Sequence, residues 1–571
     1  MCDLSAIPQG IKTLNMTSFV RRLISNSRIV GVSVLKNNIR LFHQSPYFVD
    51  IPDCSVSEFL IQGFHNFGKF TALIDGKTGS KTSFGELEDQ ISRTTTGFQS
   101  IGLTKSEVVC LFGTNAVEFI HTLCGVTSAG GILTIANSQL TSVELSHQLL
   151  ETDTSYIVTT PDCAPRARGA ATLCPNIREI IVIGNAEGCR PFSTLQTVGD
   201  QVKRVTVNVK QDIALMPYSS GTTGLPKGVQ LTHHNLVSQL SQLRHKSILP
   251  FTAGSDVSIN PLPMVHIAGM MIGLLNPLSQ GACVVTLPRF EPEPYLSAIE
   301  TYRGTFSLIA PPLVNFFAKH PLVDKFDLSS LQTPYSGAAT LSRALTEQMA
   351  ERLQVTSIRQ GYGMSETTGA THTDPLDGWK YGSIGKPVPN TQCKIVCVDT
   401  GDIKGADEFG EIVCKGPQVM KGYLNNEDAT METVTADGWI KTGDIGYFDK
   451  DGHYFVVDRL KDIIKYKGYQ ISPTYLESIL TSHPAVMEAA IVGIPCDEMG
   501  EVPRAHVVSR SRISAEELIK YVNDRVSPFK RLRGGLEFVT EIPKLPSGKI
   551  LRRKIKDDTL KKTNNVKTMR V

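Results

Sequence analysis

Residues 218 to 228 read YSSGTTGLPKG, in which the hydroxyls of Ser219, Ser220, Thr222 and Thr223 and the ammonium of Lys227 surround Gly221. Such a loop offers backbone N–H groups, hydroxyls and one cation to an oxyanion-rich ligand, and its glycines let the backbone come close. It is not a Walker A motif. Pro226 stands where the second glycine of that pattern belongs, and Gly228 replaces the hydroxyl that binds magnesium. Taken alone, a Gly/Ser/Thr loop reads as a turn, so its company decides. QGYGMSETTG (360–369) sets the ring of Tyr362 between glycines and adds the Ser365 hydroxyl and the Glu366 carboxylate, the donor type that magnesium prefers. WIKTGDIGYFDKDGHYFVVDRLKDIIKYKGYQI (439–471) supplies Asp444, able to chelate a ribose diol, then Arg459 and several lysines. IPKLPSGKILRRK (542–554) places Lys549 in a glycine-flanked loop.

The elements that must position these groups follow from periodicity. Short β-branched runs, among them EVVCLFG (107–113), TSYIVTT (154–160), REIIVIG (178–184), DIALMPY (212–218) and TFSLIAPP (305–312), alternate with longer mixed segments. That alternation predicts βαβ units and mostly parallel sheets, an α/β fold whose ligands collect at the carboxyl ends of strands. At 571 residues the chain calls for more than one domain. A turn at Asp451–Gly452 and a charged link predict a small α+β C-terminal domain; within it SAEELIKYVNDRV is expected to form a helix with a capping box from Ser514 to Glu517.

With 41% hydrophobic and 20% charged residues and a net charge of +3, the composition is that of an ordinary globular protein and speaks against nucleic acid as a partner. Four prolines break the uncharged window 257–288, which predicts buried strand, turn and short helix rather than a membrane span. The twelve cysteines contain no CxxC pair; Cys393 and Cys397 share one face of a strand, and reduced core thiols are the expectation. Between Leu4 and Val49 no acidic residue occurs while basic residues and serines recur, and Phe19, Val20, Leu23 and Ile24 would form an apolar helical stripe. This is the composition of a mitochondrial leader, expected over 1–45, and Met569-Arg570-Val571 is not a peroxisomal signal.

The four chemical stretches, joined in order by PLPMVHIAGM (261–270), YSGAATLS (335–342), GSIGKPVPN (382–390) and GEIVCKGPQVMKGYL (410–424), resemble the adenylate-forming superfamily of acyl-CoA synthetases, plant coumarate ligases and beetle luciferases. The resemblance runs from about residue 60 to 555. It implies a large AMP-binding domain (46–458), a hinge (459–461) and a small mobile domain (462–571), acting on a carboxylic acid, ATP with Mg2+, and coenzyme A. The acid would become an acyl-adenylate, from which a thiol expels AMP. Because carboxylate and ATP repel each other, the enzyme must supply positive charge and positioning.

By carry-over, Ser219, Ser220, Gly221, Thr222, Thr223 and Lys227 would clasp the β- and γ-phosphates, and Glu366 would hold magnesium. Gln360 and Gly361 would flank the nucleotide, Tyr362 would stack on adenine, Ser365 would bond the α-phosphate, and Asp444 with Arg459 would hold the ribose. Lys549 would bridge carboxylate and α-phosphate. After the small domain swings about Lys461, Lys465, Lys467, Gly468 and Gln470 would line the approach of CoA, Lys465 acting beside Lys549 and His266 as a catalytic residue. His266, Ile267, Ala268, Ser336, Gly337, Ala338, Gly361, Gly363, Met364 and Ala370 would line the acyl pocket, mostly small or apolar, so a fatty acid is the first expectation and an aromatic one the second. Ser365 and Thr340 stand where threonine and proline are common in relatives, and Ala268 stands where a luciferase places an aromatic. Two other functions share the motifs: an adenylation module loading a carrier protein, and a silent adenylate-binding scaffold. Only 22 residues follow Lys549, which favours soluble CoA over a fused carrier domain, and the presence of Lys227, Glu366, Asp444, Arg459 and Lys549 speaks against a silent scaffold.

Overall fold

The computed structural model describes the chain from residue 32 to 568, apart from 36–37, 198–201, 220–225, 338–340, 342, 357, 377, 468, 497, 545–547 and 549. Two sheets dominate the large domain. The first has the order Arg190–Pro191, Glu179–Val182, Thr154–Thr159, Val108–Phe112, Ile132–Ala136, Ile213–Ser219, Lys227–Thr232, Gly422–Tyr423. It is parallel until Ile213–Ser219 turns back antiparallel into Lys227–Thr232. Strands Val108–Phe112 and Thr154–Thr159 are buried at every position, which explains their unbroken apolar runs. The second sheet carries a parallel core from Thr71–Asp75 through Cys283–Thr286, Val257–Asn260, Phe306–Ile309 and Thr333–Ser336 to Arg359–Met364, where Gly369–Thr373 adds antiparallel.

The expected parallel strands are thus present. A third sheet, built from Ile403–Lys404, Gln392–Val396, Gly410–Lys415, Ile440–Phe448 and Tyr454–Arg459, is antiparallel throughout and was not foreseen. His43–Gln44, within the stretch read as leader, pairs with Gln392 and Cys393 at its side. Strands Val32–Leu35 and Asn38–Leu41 form an antiparallel hairpin, and the helical stripe expected at 19–24 lies outside the described residues.

Window 257–288 folds as strand Val257–Asn260, π-helix Gly269–Leu275, short helix Asn276–Leu278 and strand Cys283–Thr286, nearly all buried. Among the described residues no helix is long and apolar enough to cross a membrane. The C-terminal region has its own five-stranded sheet and an apolar core around Ile464, Leu476, Ile491, Val507, Leu518 and Val522. Its helix Ala515–Asn523 starts on the expected capping box of Ser514 and Glu517.

Candidate active site

Strand register builds the first half of the site. Ser219 and Lys227 are Cα partners at one end of an antiparallel pair. Ser220, Gly221, Thr222 and Thr223, which follow Ser219 in the motif, lie outside the described residues. Thr232 ends the strand that Lys227 begins and caps helix His233–Leu243 by accepting from Asn235 N at 3.2 Å, which ties that strand to a buried helix. Ser219 Oγ donates to Glu366 Oε1 at 2.8 Å, and Tyr423 OH donates to the same oxygen at 2.8 Å. Lys227 Nζ lies 4.9 Å from the centre of the Tyr423 ring, within cation–π range. Glu366 is buried in the single helical turn Ser365–Thr367, and Met420 N fixes that turn by donating to Glu366 O at 2.9 Å. Burial, then the Glu366 carboxylate, raise the Tyr423 phenol above its ordinary range, so it stays a donor.

The second half is an acid held from two sides. Asp444 sits opposite Arg459 in the ladder; Oδ1 meets Arg459 Nε at 3.0 Å and Oδ2 accepts from Tyr362 OH at 2.6 Å. Burial acts to lower the Arg459 guanidinium, but Asp444, Tyr362, Asp462 and Glu366 together more than offset it and the net shift is upward. Burial first, and Asp444 next, push the Tyr362 phenol well up. The Tyr362 OH therefore stays protonated and orients the acid beside it. Gln360 is buried, with its side-chain amide donating to Ser383 O at 3.0 Å.

The hinge expectation coincides with a change of sheet. Strand Tyr454–Arg459 ends in the third sheet, a turn is closed by Asp462 N on Arg459 O at 3.0 Å, and strand Ile464–Tyr466 begins the small domain's sheet. Lys461 is exposed in that turn. Asp458 Oδ2 accepts from Ser472 Oγ at 2.8 Å and Thr474 N at 2.9 Å, joining the hinge strand to the start of helix Pro473–Thr481. Lys465 and Lys467 are exposed, and Lys467 is held at φ 44 by its N–H on Met499 O. Gln470 pairs with Lys465 in the ladder, while Gly468 lies outside the described residues.

Lys549 also lies outside them, but its neighbour is informative. Gly548 has φ 82, and a Cβ placed on it would stand 2.9 Å from Pro312 Cδ and Cγ. Pro312 lies in the first turn of the helix that follows strand Phe306–Ile309, so Gly548 rests at the carboxyl end of the second parallel sheet. That is where ligands collect in such sheets.

Of the pocket residues, Ala370 and Ala268 pack into one apolar cluster with Ile272, Phe306 and Tyr335. Ser336 is buried with an unpartnered Oγ, and a Cβ on Gly337 would be 3.4 Å from Gly361 O. Gly363 must be glycine, because a side chain there would overlap the carbonyl of Gly369. Met364 packs with Tyr362 on another cluster, and Ala338 lies outside the described residues. His266 is exposed, its Nδ1 accepting from Ala268 N at 3.3 Å, and Ile267 is buried. The sequence reading missed Tyr423 and Gln239. Gln239 is fully buried, its Oε1 has no hydrogen-bond partner, and that atom lies 3.4 Å from where a Cβ on Gly369 would stand. The signal for it was a helix reading HHNLVSQLSQL, whose polar residues recur with no exposed face.

This arrangement matches a family model described as AMP-binding enzyme over residues 62–424, and the model of the AMP-binding enzyme C-terminal domain over 475–549. The chain belongs to the AMP-binding enzyme family. It is 37% identical over 522 residues to 4-coumarate-CoA ligase 1 of Narcissus pseudonarcissus, covering 89% of this chain and 94% of that protein. It is 36% identical over 513 residues to the peroxisomal OPC-8:0-CoA ligase 1 of Arabidopsis thaliana, covering 88% and 92%. A solved anthranilate CoA ligase in complex with anthranoyl-AMP superimposes with a TM-score of 0.80 at 25% identity, over 89% of this chain and 98% of that one. As an AMP-binding enzyme of the CoA-ligase branch, the chain is an acid–thiol ligase that uses ATP and CoA and works through an acyl-adenylate.

Proposed function

We propose that this ligase activates an aromatic carboxylic acid, one bearing a hydrogen-bond donor on its ring, in preference to a fatty acid. The observation that carries the reading is the unpartnered, fully buried Gln239 Oε1 beside Gly369. A buried acceptor without a donor costs about 1–3 kcal/mol, and a substrate hydroxyl or amine would recover it where a methyl terminus would not. The 4-coumarate and anthranilate named for two relatives supply such donors. This reverses the order of the sequence expectation, which put a fatty acid first.

In the mechanism we propose, Asp444, steadied by Arg459 and Tyr362, receives the ribose, and the ring of Tyr362 stacks on adenine. Ser365 bonds the α-phosphate. Ser219 to Lys227 clasp the outer phosphates. Glu366 suits Mg2+: it is a hard oxygen donor, and both hydrogen bonds described on its carboxylate fall on Oε1, which leaves Oε2 for a cation. The ion, when bound, neutralises phosphate charge. Lys549 then draws carboxylate and α-phosphate together so that the carboxylate oxygen attacks phosphorus and pyrophosphate leaves. After rotation about Lys461, Lys465, Lys467, Gly468 and Gln470 face the thiol. Lys465 assists its attack on the acyl carbon, His266 borders the channel to the acid, and AMP departs.

The test is AMP release with a panel of acids from acetate to palmitate, with benzoate, cinnamate, coumarate and anthranilate. The account expects coumarate or anthranilate to lead, and Gln239→Leu to lower kcat/KM for hydroxylated or amino acids about tenfold more than for cinnamate. A palmitate-first ranking would reject it. We further propose that the basic leader directs mitochondrial import, supported by its composition alone; import surviving removal of residues 1–41 would count against it.

A further inference from the structure

Behind the nucleotide-facing residues lies a group of soft ligands that the ligase chemistry does not use. Cys393 and Cys414 are direct Cα partners on strands Gln392–Val396 and Gly410–Lys415, with sulfurs 3.3 Å apart. His372, from strand Gly369–Thr373 of the second sheet, brings a ring nitrogen to them, and the three ligand atoms all lie within 4.8 Å of one another. All three residues are fully buried. His372 Nδ1 is engaged with Thr371 Oγ1 at 3.0 Å, while its Nε2 has no hydrogen-bond partner. The Tyr454 OH is likewise buried and unpartnered, and its ring centre stands 4.5 Å from that of His372.

Core thiols alone do not explain this. Thiols pack well as small apolar groups, but an imidazole nitrogen and a phenol left unsatisfied in the same dry place each carry a desolvation cost. One cation would satisfy the imidazole nitrogen. We propose that Cys393, Cys414 and His372 bind one zinc ion. Two sulfurs and an imidazole are the ligands that zinc and monovalent copper share. Charge selects between them: two thiolates neutralise a divalent ion, whereas a monovalent one would leave net negative charge without solvent. Binding releases two protons, one from each thiol, and no electron moves. The sulfurs must part to about 3.8 Å, the separation that tetrahedral bonds of about 2.3 Å impose. The ion would pin the third sheet to strand Gly369–Thr373, which pairs with Arg359–Met364, the strand carrying Tyr362. Its role is structural: it braces the wall on which Tyr362 and Asp444 are mounted.

The experiment measures metal on the full-length protein, expressed with zinc supplied and dialysed into metal-free buffer. About one tightly held zinc per folded chain is expected, absent from Cys393→Ser/Cys414→Ser and reduced in His372→Asn. Replacement by cobalt should give a thiolate charge-transfer band in the near ultraviolet and the intense visible bands of a tetrahedral ion. Should the variants fail to fold, the cobalt spectrum of the unaltered chain decides alone. A folded wild-type protein with no bound zinc and no cobalt bands, one whose two sulfurs are joined as a disulfide, or a double variant that keeps its zinc would each overturn the proposal.

Discussion

Asp444 faces Arg459 across two antiparallel strands, and its Oδ1 meets the Arg459 Nε at 3.0 Å. Arg459 is also the last residue of its strand before the turn into the small domain. The pair that we propose holds the ribose thus also stands at the proposed hinge, and we propose that nucleotide binding and domain rotation share this one ion pair.

Removing that carboxylate should weaken both. Charge-assisted hydrogen bonds contribute about 1.5–3 kcal/mol each, so Asp444→Ala is expected to raise the KM for ATP about ten- to a hundredfold. Its melting temperature should fall by a few degrees, because Arg459 loses its partner. Asp444→Asn, which keeps the shape, should lie between. An ATP KM within about twofold of wild type would show that the nucleotide sits elsewhere.

Glu366 Oε1 accepts from Ser219 and Tyr423 together. Glu366→Gln should shift the magnesium concentration for half-maximal AMP release upward about tenfold or more. Tyr423→Phe removes one hydrogen bond of about 1 kcal/mol and should shift it about fivefold in the same direction. Magnesium titrations that superimpose for all three proteins would contradict the assignment of this carboxylate.

Stability should depend on pH through Asp374. Burial raises its carboxyl from 3.8 to about 7, against the pull of the Gln360 amide and of Arg359. The unfolded chain loses this proton first, so as pH climbs from 3.8 to about 7 the group progressively favours unfolding, and above that its penalty is constant. Asp374→Asn lacks the penalty. Its melting temperature relative to wild type should therefore rise between about pH 4 and about pH 7 and level off beyond. Parallel profiles across that range would refute the shift.

Much of this was legible beforehand. The parallel strands announce themselves as unbroken apolar runs because both faces are buried, and the capping box of Ser514 is visible in four residues. Glu366, Asp444 and Arg459 were named from residue type and motif, and in the structure Glu366 meets Ser219 and Asp444 meets Arg459. The third sheet was not legible: its strands include two-residue pieces such as Ile403–Lys404, too short to show a period.

Tyr423 escaped notice because its importance lies in reaching Glu366 from 57 positions away, a pairing that no local pattern encodes. Gln239 was hidden for a related reason, since a glutamine in a helix reads as surface until the burial of all sides is seen. The described cysteines are free and mostly buried, as expected of core thiols, but the proximity of Cys393 to Cys414 across the ladder could not be seen along the strand, where only Cys397 shares its face.

The central claim is that the small domain delivers Lys549 for the first half-reaction only. Its most direct test is Lys549→Ala assayed in two halves: acid-dependent exchange of pyrophosphate into ATP, and thioester formation from supplied acyl-adenylate and CoA. The account predicts that exchange falls about a hundredfold or more while thioester formation stays within a few-fold. Equal losses in both halves would contradict it.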